Sequence, residues 1–64
     1  MDNEIIGLLE TIEEQLGNAA EDSIKFAQGN NSAGTRVRKA MQSIKGLAQQ
    51  VRLEVQAQKN GIPA

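Results

Sequence analysis

Arg38, Lys45, Arg52 and Lys59 recur at intervals of seven. An α-helix makes almost two full turns in seven residues, so on a helix these four charges form one line, with about 10.5 Å between neighbours. A row of cations is suited to neutralising a row of anions, and the nucleic-acid backbone presents its phosphates in rows. Arg36 and Lys39 stand beside the first member of the line, and Ser32, Ala33, Gly34 and Thr35 precede it with small or hydroxyl side chains. Free amides at a helix start, next to guanidiniums, can seat a phosphate. The candidate DNA-binding residues are therefore Ser32, Thr35, Arg36, Arg38, Lys39, Lys45, Arg52 and Lys59. Six of the seven basic residues fall between Gly34 and Asn60, where only Glu54 opposes them.

Other chemistries find little support. The 64 residues include no His and no Cys, which removes the nucleophile–base pairs of covalent catalysis, the usual zinc ligands and any disulfide. Glu10, Glu13, Glu14, Glu21 and Asp22 are numerous enough for acid–base or metal work, but no second ligand type supports them, and their spacing is that of a solvated acidic helix face. The glycines are scattered instead of forming a phosphate loop, and Phe26 is the one aromatic side chain. No catalytic residue, metal ligand, cofactor or small-molecule substrate is expected; the chain does not read as an enzyme. Gln42, Gln49, Gln50, Gln56 and Gln58 read as a neutral, solvated surface.

The elements that must position the cations are two helices. Ile5, Leu9, Ile12, Leu16 and Ala19 alternate at steps of four and three, and Leu8, Ala20, Phe26 and Ala27 widen the stripe, which predicts a first helix over about 3–28. Asp2 or Asn3 can cap it. Gly7 and Gly17 each cost it about 1 kcal/mol relative to Ala, and read as tolerated positions in preference to close helix contacts. Gly29, Asn30, Asn31 and Ser32 form the turn: Gly29 can adopt the left-handed conformation that ends a helix, and Asn31 or Ser32 can cap the next. Val37, Met41, Ile44, Leu47, Ala48, Val51 and Val55 then mark a second helix over about 33–59, stopped by Gly61 and Pro63 with a short tail at 60–64. A loop this short forces the helices antiparallel.

The expected fold is all-α: one domain, an antiparallel two-helix hairpin. A chain of this length buries too small a fraction of its surface to be comfortable alone. Two hairpins are therefore expected to dimerise into a four-helix bundle, with Ile5, Leu9, Ile12, Leu16, Phe26, Val37, Met41, Ile44, Leu47, Val51 and Val55 as core or dimer positions. Ile6, Ile24 and Leu53 remain on the hairpin's far side.

The near-neutral charge of −1 hides an asymmetry. Residues 1–24 hold seven acids and no base, and residues 25–64 hold seven bases and one acid. Folding about Asn30 and Asn31 brings Glu21 and Asp22 towards Arg36 and Lys39. For those two cations, internal ion pairs and phosphate contacts are both open; for Arg38, Lys45 and Arg52, which face less of the first helix, phosphate contact is the reading. Lys25 is expected to pair with Glu21 one turn earlier. No apolar run is long enough to span a bilayer, and no secretory signal opens the chain, so a cytoplasmic, nucleoid or virion interior is expected.

Residues 31–60, above all GTRVRKAMQ and the LAQQVRLEV run, resemble the linker-histone-like family of bacterial chromatin proteins, to which the chlamydial histone-like protein belongs. The acidic first third fits only in general pattern. The resemblance implies DNA compaction and a nucleoid location. The family often carries a long Lys/Ala/Pro-rich tail after the helical segment, where GIPA stands here, so weak binding through the second helix itself is expected. The alternative is a helical self-association or adaptor module that binds no nucleic acid, its charge asymmetry serving only to pair helices.

Overall fold

The computed structural model describes residues 3–61. Two helices account for nearly all of them: α1, Glu4–Ala27, and α2, Asn31–Gly61. Asn3 starts α1 by accepting the Ile5 amide on its Oδ1 at 2.8 Å, and Glu4 places an acid at the positive end of the helix dipole. The other candidate cap, Asp2, lies outside the described residues.

The turn is tighter than the sequence suggests. Gly29 adopts φ +103°, a left-handed conformation that costs a residue with a Cβ, and its amide and those of Gln28 and Asn30 close onto the last carbonyls of α1. Asn30, not Asn31 or Ser32, caps α2, its Oδ1 accepting the Ala33 amide at 3.1 Å. The helix thus begins at Asn31, two residues before the position read from the sequence, because an Asn directly after the reversal already supplies the capping oxygen. At the other end α2 continues through Gly61; Pro63 lies outside the described residues.

The helices pack side by side in an antiparallel hairpin. Its register is marked by Asp22 against Arg36, Phe26 against Gly34 and Asn3 against Gln58, so residues whose numbers add to about 60 lie level. The Cα envelope measures 55 × 19 × 11 Å, long, narrow and thin as two helices lying side by side require. The hairpin is one layer thick, and both of its broad faces meet water.

Along the line where the helices meet, α1 contributes Ile5, Leu8, Ile12, Gln15, Ala19 and Asp22, and α2 contributes Ala33, Val37, Ala40, Ile44, Leu47, Val51 and Glu54. All are half-buried or buried, at alternating steps of three and four. Among the described residues only Ala19, at 4% exposure, and Ala33, at 0%, are enclosed, and no large side chain is. Of the expected core positions, Ile5, Ile12, Val37, Ile44, Leu47 and Val51 lie in this seam. Leu9, Leu16, Phe26, Met41 and Val55 do not: they are 38–54% exposed. On α1 the patterns Ile5–Leu9–Ile12–Leu16 and Ile5–Leu8–Ile12–Gln15 share two members. Apolarity favours the first, whereas the hairpin turns the second towards α2.

In antiparallel helices, the position following the second seam residue of each heptad lies on the same broad face of both. That set comprises Leu9, Leu16 and Ser23 on α1 and Gly34, Met41, Ala48 and Val55 on α2. One broad face is therefore apolar. The opposite face carries Glu4, Thr11, Asn18 and Lys25 from α1 and Arg36, Ser43 and Gln50 from α2. Ile6 borders the apolar face, whereas Ile24 and Leu53 point outward from separate helices, so these three exposed residues do not share one far side as the sequence suggested.

Candidate nucleic-acid interface

The basic residues separate by position on α2. Arg38, Lys45, Arg52 and Lys59 form a single exposed edge next to the apolar face, about 31 Å from first to last at 1.5 Å per residue. That is close to one turn of B-DNA, about 34 Å. Among the described residues none of the four has an acidic partner within ion-pair distance. Lys39 is also exposed and unpaired, and with Thr35, Arg38 and Gln42 it lines a shallow polar groove on the outer surface of α2. Ser32 is exposed in the first turn.

Arg36 is placed differently. It reaches across the hairpin: its Nε donates to Asp22 Oδ1 at 3.0 Å, and one terminal nitrogen lies 3.0 Å from the same oxygen. The donated hydrogen bond, aided by the guanidinium's charge and more weakly by Lys25, holds the Asp22 carboxyl below its ordinary value of 3.8. Arg36 is correspondingly raised by the same hydrogen bond. Of the two accounts open for Arg36, the structure forms the internal pair with Asp22. Lys39 pairs with neither Glu21 nor Asp22, and Lys25 makes no ion pair with Glu21.

The early start of α2 also changes the electrostatics of this end. Arg36, Arg38 and Lys39 fall in its second and third turns, beyond the first turn where the helix dipole acts most strongly. Their unfavourable interaction with the dipole is therefore small, and the Asp22 carboxylate compensates Arg36 directly.

Gly34 makes a close contact that periodicity did not reveal. A Cβ built there would lie 2.6 Å from two ring carbons of Phe26, so the ring rests directly on the α2 backbone. Gly7, Gly17 and Gly46 have no such neighbour within 4 Å. Phe26 remains half-exposed, and with Ser23, Gly34 and Val37 it shapes an apolar groove at the loop end of the hairpin. Arg38, Thr35 and Asn31 complete its rim. The Ser23 hydroxyl turns away from the groove, donating to the Ala20 carbonyl at 2.7 Å.

Among the described residues no group of acidic side chains is arranged to hold a metal ion, and no helix is long and apolar enough to cross a membrane. No curated protein and no solved structure matches the chain significantly. The family model for histone H1-like protein Hc1 matches residues 6–61, which span the half-buried seam from Leu8 onward, the turn, and the basic edge through Lys59. That coverage exceeds half of the chain: it belongs to the histone H1-like Hc1 family, a histone-like family and not one of enzymes.

Proposed function

We propose that this protein binds DNA through its phosphates, without sequence preference, as a nucleoid-associated homodimer. The observation that carries this reading is the unpaired edge Arg38–Lys45–Arg52–Lys59, one DNA turn long, on a member of a histone-like family. Four cations at about 10.5 Å spacing can each meet a phosphate along one side of a duplex and release condensed counterions on binding. Lys39 adds a fifth contact beside Arg38, with Ser32 and Thr35 positioned to donate at the same end. Arg36 contributes only when it leaves Asp22. The acids of α1 oppose DNA approach and limit affinity, as does a near-zero net charge.

Dimerisation is supported by the thinness of the hairpin. Stable domains bury apolar surface between at least two layers, and this one has a single layer with no large side chain fully enclosed. The same observation favours the second reading, a self-association module that binds no nucleic acid. Gel retention of duplex DNA at low salt separates the two. The DNA-binding reading expects retention of unrelated sequences to similar extents, lost as salt rises; absence of retention at low salt leaves the self-association module.

A further inference from the structure

We infer that a second copy covers the apolar face with its loop end over the first copy's loop end, so that each acidic α1 lies on the partner's basic α2. The inference rests on the homodimer proposed above and specifies its geometry. Helix α1 turns Leu9 and Leu16, its most apolar side chains outside the shared positions, onto this face and gives Gln15 and Asp22 to the intrachain seam. The placement leaves the better apolar stripe for an intermolecular contact. Met41 and Val55 are exposed on the same face of α2, and Ala48 between them leaves a depression at the level of Leu9 and Leu16.

Two face-to-face arrangements obey two-fold symmetry with the helices aligned. If the axis crosses the hairpin, loop lies over open end and each helix covers its own copy. The edge Arg38–Lys45–Arg52–Lys59 would then run beside the same edge of the partner, and α1, with its seven acids upstream of Lys25, beside another α1. Like charges would line the α2 rim, and Glu13, the one acid among Ile6, Glu13 and Ala20 on the α1 rim, would meet no cation. If the axis runs along the hairpin, loop lies over loop and α1 covers the partner's α2. In the register where residues adding to about 60 lie level, Glu13 then meets the partner's Lys45, while Ile6 and Ala20 meet the partner's Arg52 and Arg38. The aliphatic stem of the partner's Arg52 covers Ile6, which is 57% exposed in the single hairpin, that of the partner's Arg38 covers Ala20, and both guanidiniums stay in water. Charge complementarity selects this second arrangement. It also brings the two Phe26 grooves to one end of the dimer, each with Arg38 on its rim.

The chain's lack of cysteine makes a direct test possible, because engineered thiols are the only ones present. Leu16→Cys protein is mixed with Met41→Cys protein, Leu9→Cys with Ala48→Cys, and Ser23→Cys with Leu9→Cys, and each mixture is oxidised after far-UV circular dichroism shows native helicity. Loop-over-loop packing predicts disulfide-linked heterodimers in the first two mixtures and none in the third. Cross-linking in the third mixture alone overturns the arrangement and leaves the dimer standing; a single-chain mass by light scattering overturns both. A charge reversal provides the check if a thiol variant does not fold. Glu13→Lys or Lys45→Glu should each weaken dimerisation roughly 3- to 30-fold, as expected for two symmetric exposed pairs, and the double reversal should restore it. Failure of the double reversal to restore dimerisation counts against the Glu13–Lys45 contact and the arrangement with it.

Discussion

Arg36 and Asp22 show how one contact governs both register and ligand availability. Two guanidinium nitrogens approach one carboxylate oxygen, one of them donating a hydrogen bond, and Asp22 is mostly covered, its side chain only 15% exposed. Asp22→Asn should release Arg36 to solvent, steepening the salt dependence of DNA affinity by about 0.9 unit for the one cation gained, with a small fall in melting temperature. Glu21→Gln makes the matched control: Glu21 pairs with nothing described, so its stability should not change. The pair also has a pH signature. Asp22 titrates lower when folded, so its stabilisation is present above the ordinary carboxylate value of 3.8 and is lost as pH falls through the depressed folded value. Thermal melts between pH 7 and pH 2 should show a larger acid-induced loss for the parent than for Asp22→Asn. The glycines supply a second contrast at this scale. Gly17→Ala and Gly46→Ala meet no neighbour and should each stabilise by up to about 1 kcal/mol. Gly34→Ala should yield less or destabilise, because its Cβ must displace the Phe26 ring.

At the scale of the helices, the seam contains one polar atom without a partner: Gln15 Oε1 is buried and accepts no hydrogen bond. An unsatisfied buried acceptor costs about 1–3 kcal/mol, so Gln15→Leu should raise the unfolding free energy by about that amount, measured by urea denaturation. An unchanged midpoint would mean that water or a partner copy satisfies this oxygen. Ile44→Asp should do the opposite and abolish cooperative unfolding, since it places an unpaired charge in the seam. The two-helix hairpin was legible in the sequence because both helices carry uninterrupted apolar periodicity and Gly29 with its flanking Asn residues is the only turn signal between them. The exact seam was less legible. On α1 two stripes overlap, and counting apolar residues selects Leu9 and Leu16 over Gln15 and Asp22, which lie in the seam because α2 approaches from the other flank. The basic edge could be read directly from its interval of seven. Phe26 on Gly34 could not, because a close approach across a turn leaves no periodic trace.

For the whole molecule, a single layer of two helices leaves an apolar face that another layer must cover. Light scattering at tens of micromolar should return twice the chain mass, and exposure of the apolar face in a folded monomer would contradict the dimer. Covering that face leaves the basic edge at its rim, where Lys45 also faces the partner's Glu13 and the arginine stems pack on the partner's α1, so phosphate binding and dimerisation meet along this edge and are measured separately. The most direct measurement is the salt dependence of duplex affinity for the parent and for the triple variant Arg38→Ala, Lys45→Ala, Arg52→Ala. Three phosphate contacts at about 0.9 unit each predict that the slope of log affinity against log salt flattens by about 2.7 units, equally on unrelated sequences, at protein concentrations where light scattering shows the variant to be dimeric. A triple variant that binds DNA with the parent's slope would contradict the assignment of this edge as the phosphate-binding surface.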